Sequence, residues 1–150
     1  MSDQYVSHKI SPEIMSSVQE TTEHSERKLL LEGREHEEIY NSIETLIKKK
    51  KLYQEEDFSL DKLAMLTGYN RHFISETLNV FAKKSFYQYI NEYRVDEVTR
   101  LLECKTNTGS NILSIAYAAG FKNKASFNQY FKKITGSTPS DYKKKIKATR

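Results

Sequence analysis

The sequence holds one cysteine, two prolines, five glycines and no tryptophan among its 150 residues, and each scarcity closes off a class of protein. Cys104 is alone, so neither a disulfide framework nor a thiolate metal cluster can form within the chain, and its expected role is a small residue closing a helix. The histidines at positions 8, 24, 36 and 72 have no cysteine or carboxylate at a zinc-ligand spacing, so no metal and no cofactor are expected. His72 and Glu76 lie four apart but lack a third ligand or a nucleophile, and no catalytic constellation appears elsewhere; the chain does not read as an enzyme. Apolar runs fall short of the roughly 18 residues of a membrane span, and no apolar core follows the N-terminus, so a soluble, cytoplasmic chain without direct membrane contact is expected. No segment alternates with period two, which leaves helices as the building material.

Acidic residues are scarce in one part of the chain only. Met1 to Glu38 holds nine acidic and four basic residues, a balance of −5, whereas Ile39 to Arg150 holds eleven acidic and twenty basic, a balance of +9. Residues 105–150 set ten basic residues against the single Asp141. Such asymmetry predicts attraction of the second part to a polyanion.

What is present begins with SFYQYINEYRVDEVTRLLEC, Ser85 to Cys104. Phe86, Tyr89, Ile90, Tyr93, Val98, Leu101 and Leu102 recur at helical spacing, with Val95 at the margin of the stripe, and no Gly or Pro intervenes. Ser85 followed by Gln88 is a capping box, in which each side chain satisfies a backbone N–H left over by the first turn. Such a helix is roughly 30 Å long at 1.5 Å per residue, close to one turn of B-form DNA at about 34 Å.

A repeated pattern flanks this strut. Leu60, Leu63, Ala64, Leu66, Gly68 and Tyr69 match Ile112, Ile115, Ala116, Ala118, Gly120 and Phe121 at constant offset; after one added residue, Ile74 and Leu78 match Phe127 and Phe131. Each copy reads as a short helix, a Gly turn and a second helix capped by Asn70 or Asn123, which is a helix-turn-helix. Ile74, Leu78, Phe127 and Phe131 are expected to be core residues. Before the first copy, a helix from about His36 to Tyr53 should pack on it through Ile39, Tyr40, Ile43, Leu46 and Ile47. After the second, Thr138 and Pro139 open a last helix. Residues 1–38 read as a partly disordered linker or arm, with apolar residues sparse apart from Leu29 to Leu31, within which Ser11 and Pro12 can open a short helix carrying Ile14 and Val18. The expected fold is all-α, with about seven helices.

The stretches SLDKLAMLTGYNRHFISETL, NEYRVDEVTRLL and, above all, SIAYAAGFKNKASFNQYFKKITGSTPSDYK resemble the DNA-binding domain of the AraC/XylS family of bacterial transcription regulators, over about three quarters of the chain. The resemblance implies a homeodomain-like pair of helix-turn-helix subdomains joined by a long central helix. Its parts are a first motif at 59–83, a linking helix at 85–104, a second motif at 111–135 and a final helix at 138–147, within a domain spanning 39–150. It further implies that the second helix of each motif enters a major groove and reads double-stranded DNA. By position the first reader presents Arg71, His72, Ser75, Glu76 and Asn79, and the second presents Lys124, Ala125, Asn128, Gln129, Lys132 and Lys133. Asn128 and Gln129 suit bidentate contact with adenine, while the lysines suit guanine or phosphate. Glu76 departs from this logic unless it accepts from cytosine or pairs with Arg71 or Lys83. RNA polymerase is a further partner implied by the family, as is a sensor region missing from this chain, membrane-anchored in some relatives. The alternative function is binding of RNA or single strands, in which Tyr117, Tyr130 and Tyr142 would have to stack on bases.

Overall fold

The computed structural model describes residues 11–107 and 109–149, with side chains except at 27–31. The first ten residues of the expected arm, and the side chains of Leu29 to Leu31, lie outside the described part. Among the described residues there are seven α-helices and no strand: α1 (Pro12–Lys50), α2 (Leu60–Thr67), α3 (Arg71–Thr77), α4 (Phe86–Glu103), α5 (Ile112–Ala118), α6 (Lys124–Thr135) and α7 (Pro139–Ala148).

The chain divides into two units, residues 1–36 and 37–150. In the first, Ser11 Oγ accepts the Ile14 N–H at 3.4 Å, as expected of a helix opened by Ser-Pro. The helix does not end within the arm but continues into α1 as far as Lys50. Ile14, Met15 and Val18 are exposed, and among the described residues every buried apolar one belongs to the second unit.

That second unit holds two cores. Ile39, Ile43 and Ile47 of α1 pack with Leu52, Tyr53, Phe58, Leu63, Ile74 and Leu78, together with Phe86, Tyr89 and Ile90 from the first half of α4. Val95, Val98 and Leu102 from the second half of α4 pack with Ile115, Ala116, Ala119, Phe121, Phe127 and Phe131. Each core thus encloses one helix-turn-helix, and α4 is the wall they share. Burial of a Leu, Ile or Phe side chain stabilises by about 1.5–3 kcal/mol, so neither two-helix motif could do without the face that α4 lends it.

Local signals set the helix boundaries. Ser59, Asn70, Asn111, Asn123 and Thr138 each accept a backbone N–H two or three residues ahead, and Ser85 forms both bonds of its capping box with Gln88. Gly68 closes α2 in the left-handed region at φ 75°. Two features depart from the sequence reading. The first reader is not α-helical up to Lys83: α3 stops at Thr77, and Leu78–Ala82 form a π-helical turn. Within that wider turn Phe81 stacks on Tyr40 of α1, with ring centroids 5.7 Å apart, and Lys83 ends it at φ 56°. Secondly, Val95 is not at a margin but fully buried, because the stripe on α4 changes face where it passes from one core to the other.

At that crossing lies Arg94, only 7% exposed. Its Nε donates to the Tyr53 carbonyl at 2.7 Å, Nη2 to the Glu55 carbonyl at 2.9 Å and Nη1 to Asn91 Oδ1 at 3.2 Å. Its guanidinium carbon lies 5.9 Å from the centroid of the Phe121 ring. Burial lowers the Arg94 pKa, although its ordinary value is high enough that the group stays charged. One turn further along, the Glu97 carboxylate accepts from Arg100 at 2.9 and 2.8 Å and from Gln54 Nε2 at 3.2 Å.

Two stability predictions follow from α4. Asp96 is exposed, so Asp96→Pro acts through the backbone alone and should cost about 3 kcal/mol or more by removing a helical hydrogen bond and clashing with the preceding turn; urea denaturation measures it. The Arg100 hydrogen bonds, ahead of the charges of Arg100 and Lys51, hold the Glu97 carboxyl below its ordinary 4.5. Its contribution is therefore full above pH 4.5 and is lost as the pH falls through the lowered value. Melting temperatures between pH 7 and pH 3 should fall less steeply for Glu97→Gln than for the wild type.

Candidate nucleic-acid interface

Each reader helix is held by buried residues on one side and offers polar residues on the other. In α6, Phe127 and Phe131 sit one turn apart in the second core, with Phe127 5.2 Å from Phe121 and 5.5 Å from Phe131 between ring centroids. That anchoring leaves Lys124, Ala125, Asn128, Gln129, Lys132 and Lys133 exposed. Asn128, Gln129 and Lys132 share a face by their spacing of three and four. In α3, Ile74 and Thr77 are buried, Arg71, His72 and Glu76 are exposed, and Ser75 is half-buried. Asn79 is also exposed but belongs to the π-turn, so its register relative to Ser75 and Glu76 is not that of an α-helix.

Charge placement refines these rows. Arg71 pairs with Asp61 of α2 at 3.0 Å, both side chains being largely exposed, rather than with Glu76. Such a surface pair is worth about 0–1 kcal/mol, so Arg71 can exchange it for a phosphate or a base at little cost. Lys133 lines a notch of about 120 Å³ together with Lys83, Lys84 and Tyr130. Lys84 is ion-paired to Glu92, which leaves Lys83 and Lys133 as the cationic edges of a notch between the end of the first reader and the end of the second. Tyr142 donates its hydroxyl to Glu103 at 2.6 Å, a bond that pushes its pKa up to about 12, and its ring meets Phe131 edge-on at 5.4 Å. It is a packing residue. His72 and Glu76 are joined by no third ligand, and no group able to hold a metal occurs among the described residues.

Sequence reasoning missed the residues that relate the two readers. Gly120, read as a turn glycine, does have φ 108°, but a Cβ there would also lie 2.1 Å from the Tyr53 carbonyl and 2.8 Å from Arg94 Nε. The turn of the second motif is thus in direct contact with the short 3-10 turn Leu52–Gln54 of the first subdomain. A signal for Arg94 was available: Phe86, Ile90, Arg94, Val98 and Leu102 form an i, i+4 row, and a charged residue in a core register has to be buried and paired. Phe73, 39% exposed beside Arg71 and His72, also went unread.

Two capped helix pairs, each turning a polar face outward from its second helix, define a double helix-turn-helix protein. A family model described as a helix-turn-helix domain matches residues 63–145, more than half of the 150 residues, and the chain belongs to this AraC-type helix-turn-helix family. An uncharacterized HTH-type transcriptional regulator of Staphylococcus aureus strain COL is 30% identical over 92 residues, which make up 61% of this chain and 12% of that protein. The chain therefore spans a small part of the length of that relative. The C-terminal domain of AraT, a response regulator from Geobacillus stearothermophilus, is similar with a TM-score of 0.62 at 22% identity, over 71% of this chain and 84% of that one. A transcriptional regulator with an AraC-type DNA-binding domain from Chromobacterium violaceum gives 0.59 at 18% identity, over 71% and 94%. At these identities the two structures establish the shared fold alone.

The orientation of α6 can be checked without any ligand. Phe127→Ala should destabilise by about 3–5 kcal/mol, as deletion of a buried aromatic does, whereas Gln129→Ala on the exposed side should stay within about 0.5 kcal/mol of the wild type. Comparable losses for both, in chemical denaturation, would mean that α6 is rotated from the position described.

Proposed function

We propose that this chain is a sequence-specific, double-stranded-DNA-binding module that regulates transcription, the output part of a larger signal-responsive regulator. The observation that carries this reading is the pair of outward polar rows, on α3 with its π-turn and on α6, joined by one helix that both cores share. At 18 residues α4 is about 27 Å long, of the order of the roughly 34 Å between major grooves on one face of a duplex. Arg71, His72, Ser75, Glu76 and Asn79 then face one groove, and Lys124, Ala125, Asn128, Gln129, Lys132 and Lys133 the next. Asn128 and Gln129 read base edges; Lys133, at the notch with Lys83, holds backbone phosphate. RNA polymerase and a sensor region elsewhere in the full protein are the remaining partners in this proposal. No helix among the described residues is long and apolar enough to cross a membrane, which suits work in the cytoplasm. Family membership favours binding over catalysis, and no enzymatic role is proposed.

Selection of bound sites from a random duplex pool, followed by competition with single strands and RNA, tests the reading directly. One chain should occupy an asymmetric site of about 20 base pairs covering two successive major grooves. Five base pairs inserted between the halves should abolish the preference by turning one groove away. Preferential capture by single-stranded RNA would favour the alternative instead. Within the selected site, Asn128→Ala or Gln129→Ala should lose about 1–3 kcal/mol and relax the preference at one or two positions. Lys133→Ala should weaken all sequences alike and lower the slope of log K against log salt by about 1; isothermal titration at several salt concentrations separates the two behaviours.

A further inference from the structure

Two readers on one chain can address one site only if something fixes their separation and rotation, and a shared helix does not suffice. The two cores meet α4 on different faces, on either side of Arg94, so each motif could swing about α4 unless the motifs also touched one another. They touch where the turn of the second motif meets the Leu52–Gln54 turn. The Leu52–Gln54 turn belongs to the first subdomain through Leu52 and Tyr53, and its Tyr53 carbonyl lies where a Cβ on Gly120 would be, at 2.1 Å. Arg94 occupies the same point. Its guanidinium donates to the carbonyls of Tyr53 and Glu55 on the first side and lies against the Phe121 ring on the second, while Asn91 takes the remaining contact. Glu97 adds a clasp by accepting from Gln54, the residue whose Cα would lie 3.0 Å from that same Cβ.

This arrangement has the chemistry of a registration device. A planar fork with donors in fixed directions can meet two carbonyls and an amide oxygen only in one relative placement of the elements that bear them. A lysine carries the same charge but is a point donor on a flexible stem, and it would tolerate many placements. Glycine at 120 allows the backbones to meet, and any side chain there would push the first subdomain's turn away.

We infer that Arg94, seated with the Tyr53 carbonyl against Gly120, is a positioning residue for DNA recognition: it locks the 52–55 turn onto the second motif's turn and so sets the spacing and rotation of the two readers. This rests on the reading that both readers dock on one duplex. Arg94 itself touches no DNA and acts through the relative placement of α3 and α6.

The experiment uses the full chain with four kinds of duplex: the selected full site, each half-site alone, and full sites with one base pair added or removed between the halves. Arg94→Lys should keep half-site affinity within about twofold, lose on the order of 10²-fold on the full site, which is the avidity a rigidly placed second module adds, and no longer distinguish the spacings. Gly120→Ala, which displaces the same contact with Arg94 intact, should behave alike and carries the test if Arg94→Lys does not fold. A second readout needs no DNA: nitroxides at Glu76→Cys and Gln129→Cys in a Cys104→Ser background should give a narrow distance distribution by pulsed electron resonance, broadened by Arg94→Lys. Variants that fold and keep the wild-type spacing preference overturn the role of Arg94, as does an equal loss on half-sites and full site, or a broad distribution in the wild type itself. A wild type with a narrow distribution that is indifferent to spacing overturns the two-reader reading, and this inference with it.

Discussion

The structure of the second unit depends on one buried cation. Removing a guanidinium from water costs several kcal/mol, and Arg94 has no carboxylate among its hydrogen-bond partners to offset that cost by direct ion pairing. Instead it is compensated by two backbone carbonyls, one amide oxygen and an aromatic face, contacts that are charge-assisted and therefore about twice as strong as neutral ones. Such a group is destabilising anywhere except in the assembled joint. Any displacement of the 52–55 turn from α4 leaves the charge buried and its acceptors orphaned, so the free energy rises steeply with distortion.

Separate cores make this constraint necessary. Were the two motifs wrapped round one continuous core, interdigitation would fix their orientation without further devices. Here Phe86, Tyr89 and Ile90 belong to one cluster and Val95, Val98 and Leu102 to another, so hydrophobic burial stabilises each subdomain without specifying how they face one another. Directional contacts supply what burial cannot, because hydrogen bonds weaken with angle whereas apolar contact is indifferent to it. Glu97 shows the same division: a carboxylate only 8% exposed holds Gln54 of the first subdomain while its charge is balanced by Arg100 on its own helix.

Much of this was legible in the sequence, for a physical reason. The helix starts at Ser59, Asn70, Ser85, Asn111, Asn123 and Thr138 are written in residues that act on their own neighbours within three positions. The matched apolar positions are written in a period that one helix imposes: Leu63, Ile74, Leu78, Ile115, Phe127 and Phe131 are buried as it requires, whereas Leu66 and Ala118 are exposed. The polar rows of the readers are the complement of those positions. What escaped was either non-local or a break in period. Arg94 meets Tyr53 across 41 residues, and nothing near either one announces the other. The stripe on α4 was read as continuous, which put Val95 at a margin, because a single period cannot represent a helix that serves two cores. The π-turn at Leu78–Ala82 escaped for a related reason: it changes the register without any Gly or Pro to mark it.

Gly120 illustrates how one residue can carry two constraints of which the sequence shows one. Its counterpart in the first motif, Gly68, also has positive φ, but nothing lies within 4 Å of where its Cβ would be. A residue tolerant of left-handed backbone, such as Asn, could stand at Gly68 at modest cost. At Gly120 the same replacement would meet the Tyr53 carbonyl, which cannot yield without releasing Arg94. The repeat therefore makes the two glycines equivalent as turns and inequivalent as contacts. Symmetry of sequence between the motifs ends where the second motif has to recognise the first, and that asymmetry gives the pair of readers a fixed order and direction.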